Sequence, residues 1–309
     1  MILSVSRRTD IPNYYSDWFF NRIREGYLYV RNPMNFHQVS RIELSPEVVD
    51  CIVFWTKNPK PMWNRLTELK DYPYYFQFTL TGYGKDIEPN VLHKKKEMIP
   101  IFQELSDKIG SQRVIWRYDP ILLTERYTME YHLKAFRDIA EGLEGYTEKV
   151  VISFVDLYDK MRQKGVYFHE IKEAECRFLA RQMAEIARAH HMEIASCAEK
   201  IDLSDWGVEH NSCIDKALIE KIIGCPLKVG KDRNQREACG CIESIEVGTY
   251  DTCLNGCRYC YANRREQQIK NTISHYHPFS PLLCGEITKE DKITERKIKS
   301  FREEQMRLF

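Results

Sequence analysis

Short β-branched and aromatic runs recur along the chain, each followed by a stretch whose apolar positions return every three or four residues. The runs 2–6, 51–55, 74–80, 113–118, 149–155, 192–196 and 244–248 read as strands, with 227–229 a weaker eighth. Between them, 17–25, 61–69, 90–109, 129–143, 172–190 and 214–223 read as amphipathic helices. Strands separated by helices pair in parallel, so the expectation is an α/β fold, a full or partial TIM-like (β/α) barrel. No repeat or low-complexity linker divides it, so residues 1–288 read as one domain. The charged segment 289–309 reads as a C-terminal surface helix.

Alternation within the strands adds a prediction about the interior. In Phe76-Gln77-Phe78-Thr79-Leu80-Thr81 one face is apolar and the other polar. Ser4, Ser6 and Arg8 share a face of the first strand, and Ile115, Arg117 and Asp119 share one of the fourth. Helices are expected on the apolar faces, with the polar faces lining a lumen. Polar groups also gather at the strand ends, in Ser-Arg-Arg-Thr-Asp (6–10), Trp-Thr-Lys-Asn-Pro (55–59) and Cys-Ala-Glu-Lys (197–200). The C-terminal strand ends of α/β barrels hold their active sites. Arg117 and Asp119 are therefore candidates for holding substrate or a cofactor carboxylate, or for an ion pair bracing the rim. Glu199 is a candidate for ribose hydrogen bonds or acid–base work.

Composition narrows the class. The 309 residues are 43% hydrophobic, enough for a substantial core, and carry 46 basic against 45 acidic groups. That balance exerts no global pull on nucleic acid or a membrane. The start, Met-Ile-Leu-Ser-Val-Ser-Arg-Arg, lacks the features of a signal peptide, and no apolar run is long enough to span a bilayer. A soluble, cytoplasmic protein is expected. Of 11 cysteines, only Cys51 and Cys176 precede position 190. In a reducing compartment such a cluster points to metal ligation before disulfides. Cys51, Cys176 and Cys225, among apolar neighbours, read as core; Cys284 is open.

Cys253-Leu-Asn-Gly-Cys257-Arg-Tyr-Cys260 sets three thiols on one loop after a strand. Thiolates are the usual ligands of iron–sulfur clusters, and this spacing lets a loop wrap a 4Fe–4S cube while one iron keeps an open site. Structural zinc takes four ligands, which here would draw in His275 or His277. Cys197, Cys213, Cys239 and Cys241 form a second, looser set, suited to an auxiliary iron–sulfur cluster or zinc.

The C-x3-C-x2-C motif, with aromatic Tyr259 before its last cysteine, resembles the signature of the radical S-adenosylmethionine superfamily. The resemblance implies a 4Fe–4S cluster whose open iron chelates S-adenosylmethionine, reductive cleavage to a 5′-deoxyadenosyl radical, and Tyr259 near the adenine. It also implies a reducing electron donor such as flavodoxin or ferredoxin. In that superfamily the signature follows the first barrel strand; here it lies near the C-terminus. The chain as a whole resembles an uncharacterised bacterial family with this arrangement, marked by Ser-Arg-Arg-Thr-Asp-Ile-Pro, Phe-Trp-Thr-Lys-Asn-Pro and Lys-Asp-Arg-Asn-Gln-Arg. Circular permutation accounts for the order, and chain termini that lie close together make it physically cheap. Residues 244–250 would then pair with the first strand, and Ser6, Arg7 and Arg8 would contact the cofactor.

Two other readings remain at this level. One is an iron–sulfur or zinc-binding barrel with an electron-transfer or structural role. The other is a DNA-lesion repair enzyme resembling spore photoproduct lyase, against which the neutral charge weighs, since duplex binding usually shows a concentrated basic footprint.

Overall fold

A computed structural model describes residues 1–155 and 168–303. The chain opens with β1 (Ile2–Val5), the short α1 (Ile11–Tyr14) and α2 (Ser16–Glu25). A hairpin of β2 (Tyr27–Asn32) and β3 (Asn35–Glu43) follows. Then strands and helices alternate: β4 (Cys51–Thr56), a 3-10 helix (Lys60–Leu69), β5 (Tyr74–Thr79), α3 (Ile99–Ile109), β6 (Val114–Ile121), α4 (Met129–Leu143), β7 (Lys149–Phe154), α5 (Glu173–Ala189) and β8 (Glu193–Ser196). The remainder holds β9 (Glu209–His210), α6 (Lys216–Ile223), β10 (Ile245–Glu246), α7 (Glu266–Ile273) and β11 (Lys292–Glu295).

Eight strands form one parallel sheet in the order β10-β1-β4-β5-β6-β7-β8-β9. The order never reverses, unlike that of a doubly wound sheet. Right-handed crossovers taken always in one direction put the helices on one face. That face is the main core: Leu3, Val5, Ile52, Phe54, Phe76, Phe78, Val114, Trp116 and Ile152 pack against Trp18, Phe19, Phe102, Leu105, Phe136, Leu179 and Met183. Trp116 stacks on Phe136 with ring centroids 4.7 Å apart. The end strands, β10 and β9, are not hydrogen-bonded to each other, so the sheet is an open arc.

The other face is graded, a refinement of the expected polar lumen. At the N-terminal ends of the strands it is apolar: Ile2, Val53, Tyr75, Ile115 and Val151 pack against Ile214, Ile219, Leu227 and Ile242. The segment from Cys213 to Ile242 thus plugs this half of the arc. Towards the C-terminal ends the same face carries Ser6, Thr79, Arg117, Asp119 and Ser153, and stays open.

All seven main strand expectations fall on observed strands, and β10 pairs with β1 in parallel, Leu3 opposite Ile245 and Ser4 opposite Glu246. Residues 227–229 form no strand; Leu227 makes only an isolated bridge to Arg302, and Glu209–His210 takes the eighth place. The helix expected at 129–143 has those bounds, with Thr128 capping it through Tyr131 N, whereas the one expected at 214–223 starts at Lys216, where Asp215 caps it through Ala217 N and Leu218 N. The expected C-terminal helix is corrected: within 289–303 the regular element is β11, which extends the β2–β3 hairpin by pairing with β3. Pairing with Gln38, Val39, Ser40 and Arg41 satisfies backbone groups of the β3 edge that would otherwise be left to water. The last residues, 304–309, lie outside the described ones. Among the described residues no helix is long and apolar enough to cross a membrane.

Candidate functional site

The C-terminal strand ends surround a cavity of about 1060 Å³. Its wall holds Ser6, Arg7 and Arg8 after β1, Arg117 and Asp119 of β6, and Cys197 after β8. Cys213 follows β9, Cys239 and Cys241 precede β10, and Cys253, Cys257, Tyr259 and Cys260 come from the loop beyond it; all of them reach the same wall. Glu199 does not. Its Oε1 accepts the Phe154 amide at 2.8 Å, which places it as a brace behind the end of β7.

The loop carrying Cys253, Cys257 and Cys260 is held from outside. Asp251 N donates to Ala262 O at 3.0 Å, and the Asp251 carboxylate receives Arg264 N and Nε at 2.6 and 2.8 Å. Tyr15 Oη donates to Thr252 O at 2.6 Å, Asn90 Nδ2 to Leu254 O at 2.7 Å, and Arg258 N to Ile87 O at 2.9 Å. Asn255 is buried beneath the loop, its Oδ1 accepting Tyr14 Oη at 2.9 Å and its Nδ2 donating to Asp10 Oδ2 at 3.0 Å. The backbone is thus fixed by neighbouring elements, and the thiols are left to face the cavity.

Two buried carboxylates flank the loop. Asp10 also accepts Thr56 Oγ1 at 2.6 Å and Lys57 N at 2.9 Å; burial still raises its pKa above the usual carboxylate range. Glu88 receives Lys57 Nζ at 2.7 Å and Thr81 Oγ1 at 3.0 Å, together with Lys94 Nζ and Tyr259 Oη. Burial alone would raise the Glu88 pKa, but the two ammonium groups overcome it and hold the carboxyl at about 2. Tyr259, whose ring lies against Tyr83 and the Lys57 ammonium, is therefore tethered through its hydroxyl. No sequence pattern marked Glu88 or Lys94 for the site, whereas Thr81 stood on the polar face of the 76–81 run. Asp10 stood inside the Ser-Arg-Arg-Thr-Asp run but was not singled out.

Arg7 is pinned across the β10–β1 pair. Its backbone N and its Nε both reach Glu246 Oε2, at 3.0 and 3.4 Å, and its Nη2 reaches Ser244 Oγ at 3.2 Å. Arg8 stacks over Tyr250 at 4.7 Å and donates to Gly248 O at 3.3 Å. Arg117 lies over Trp55 at 5.1 Å, pairs with Asp119, and gives Cys213 Sγ a 2.7 Å hydrogen bond. Asp119 in turn accepts Ser153 Oγ.

Burial pushes the Cys253 thiol up, and the Cys257 thiol up to about 12. Thiols so placed ionise readily only beside a bound cation. A 4Fe–4S cube takes its thiolates at separate corners, so three sulfurs spread along one rigid loop suit it better than they suit zinc. The donor chemistry is thus compatible with such a cluster, which Cys253, Cys257 and Cys260 would hold.

The second thiol set is also assembled. Cys197 Sγ and Cys213 Sγ are 3.2 Å apart, Cys213 interacts with Cys241, and Cys241 with Cys239. The contacts with Cys197 and Cys241, reinforced by Arg117, pull Cys213 well below the usual thiol range, and Cys197 is pushed up in return. Cys51 and Cys176 are core residues, Cys225 is half-buried, and Cys284 is buried in the main core.

The fold and site define a class: an open, singly wound α/β arc with a thiol-lined cavity at its C-terminal rim. Residues 2–262 match the model of a domain of unknown function, DUF1848, and the chain belongs to that family. No curated protein and no solved structure matches the chain.

Proposed function

We propose that the protein is a radical S-adenosylmethionine enzyme acting on a substrate yet to be identified. The observation that carries this reading is the convergence of Cys253, Cys257, Cys260, Tyr259 and the Ser6-Arg7-Arg8 segment on one cavity, brought about by the β10–β1 pairing. When bound, the cluster supplies the electron that splits S-adenosylmethionine into methionine and a hydrogen-abstracting 5′-deoxyadenosyl radical.

The chain's own groups have distinct tasks in this reading. Arg8, whose guanidinium no carboxylate among the described residues engages, offers it to the cofactor's carboxylate end; Arg7, committed to Glu246, fixes the turn that presents it. Tyr259, held by Glu88, gives the adenine a fixed aromatic wall. The Arg117–Asp119–Ser153 chain supplies polar contacts for substrate on the opposite side of the arc. A flavodoxin or ferredoxin would deliver the electron.

The test is anaerobic. Reconstituted protein, reduced with dithionite and given S-adenosylmethionine, should release 5′-deoxyadenosine and methionine, and Cys257→Ala should release neither. Wild-type protein that carries zinc on the loop, or an iron–sulfur cluster that leaves the cofactor intact, would sink the reading.

A further inference from the structure

The two free edges of the arc, β9 and β10, have no hydrogen-bond ladder between them. The gap is spanned by two loops, with Ile242 N donating to Ile214 O at 3.2 Å and Ser212 Oγ to Gly240 O at 2.8 Å. Cys213 sits on one of these loops, Cys239 and Cys241 on the other, and Cys197 directly follows the neighbouring β8. The close approach depends on Gly240: a Cβ there would lie 2.4 Å from Ser212 Oγ and 3.3 Å from Asn211 O.

The surroundings of these sulfurs are built for negative charge. Cys213 Sγ receives Arg117 Nη1 at 2.7 Å and Asn211 Nδ2 at 3.1 Å, and Cys241 Sγ receives Ile214 N at 3.3 Å. A neutral thiol is a weak acceptor, whereas metal-bound thiolates commonly collect such N–H donors. Tyr75 Oη and Gln77 Nε2 both donate to the Cys213 carbonyl, at 2.7 and 2.8 Å, so the residue is anchored to the middle of the sheet. Several buried thiolates side by side are stable only around a cation, and the guanidinium of Arg117 alone cannot serve four.

We propose that Cys197, Cys213, Cys239 and Cys241 bind a thiophilic metal centre, zinc or an iron–sulfur cluster, that staples the open seam of the arc. The four sulfurs already run as a chain from Cys197 through Cys213 and Cys241 to Cys239, and a bound centre draws its ends inward. Four thiolates around a dipositive centre leave a residual negative charge, which Arg117 and the neighbouring Arg7 face. The site is independent of the loop of Cys253, Cys257 and Cys260, and of the radical chemistry proposed for it.

The experiment measures metal, not turnover. The full chain carrying Cys253→Ser, Cys257→Ser and Cys260→Ser is purified without oxygen, offered zinc or iron with sulfide, and analysed for metal after gel filtration. It should retain about one zinc or about four irons per chain. Visible sulfur-to-iron absorption and a paramagnetic signal on reduction mark the iron arm; a colourless, chelator-resistant metal marks zinc. Adding Cys239→Ser and Cys241→Ser should abolish retention. A triple variant that is folded by circular dichroism but binds neither metal overturns the proposal. If that variant does not fold, Cys239→Ser/Cys241→Ser is compared with wild type: loss of one zinc or four irons supports the site, and unchanged metal refutes it. Wild type that makes no 5′-deoxyadenosine would overturn the radical reading alone.

Discussion

Lys57 Nζ lies 2.7 Å from Glu88 Oε1, and both side chains are buried. Lys57 follows β4 beside the loop of Cys253, Cys257 and Cys260, and Glu88 lies in the connection after β5, so the pair joins two strand ends to Tyr259. An ion pair in this position does more to fix geometry than to stabilise the fold.

Replacing Glu88 with Gln deprives the buried Lys57 ammonium and the half-buried Lys94 ammonium of the carboxylate they share. The expected loss is about 3–5 kcal/mol of unfolding free energy, read by chemical denaturation. A loss below about 1 kcal/mol would show that water reaches the pair. Lys94→Met, which removes one of the two cations, should cost clearly less.

Acid sensitivity should come in part from His132. Its Nε2 donates to Leu122 O at 2.8 Å, so its Nδ1 accepts Tyr118 Oη at 2.9 Å and the ring is neutral. Burial lowers its pKa from 6.5 to about 4. Between these values the unfolded chain takes up a proton that the folded chain refuses, so stability falls as pH drops through this window. The contribution reaches about 3 kcal/mol near pH 4. Unfolding curves from pH 7 to 4 should show this slope in wild type and a shallower one in His132→Gln.

Gly248→Ala should disrupt the β10–β1 junction. An added Cβ would stand 1.8 Å from Ser6 Oγ and 2.6 Å from Ser6 Cβ. Overpacking of this kind costs about 1–3 kcal/mol, visible as a lower melting temperature. Adding Ser6→Gly removes the obstructing atoms and should restore much of it; if it restores nothing, the clash is not the cause.

Asn255→Ala should loosen the cluster loop. It removes a donor from the buried Asp10 carboxylate and an acceptor from Tyr14. About 1–3 kcal/mol should be lost, with faster iron release from reconstituted protein. Unchanged iron retention would mean that the loop's other bonds suffice.

The parallel α/β character was legible because each strand is a compact β-branched or aromatic run and each long helix has a continuous apolar stripe, signals carried by neighbours in sequence. The hairpin of β2 and β3 escaped notice because Tyr27–Asn32 is mostly half-buried, Asn35–Glu43 is largely exposed, and the polar residues of β3 break a clean alternation. The segment holding β11 looked helical because its charges resemble those of a surface helix, whereas an edge strand can carry the same residues once a partner exists. Of the candidate site, the three cysteines of the loop and the arginines after β1 stood out by residue type and spacing. Glu199 shared their surroundings in sequence, yet its side chain turns to the Phe154 amide.

What the chain determined by itself is its order of strands and helices and the reactive thiols strung along its last third, since both follow from local pattern and residue chemistry. That residues 2–5 and 245–246 lie side by side was expected only through the resemblance, and tertiary structure alone decided that the arc stays open between β9 and β10 and that Glu88 anchors Tyr259. Those contacts join residues some 170 to 240 positions apart, and a pairing over that distance is set by the packing of the whole sheet, which no local run of residues encodes.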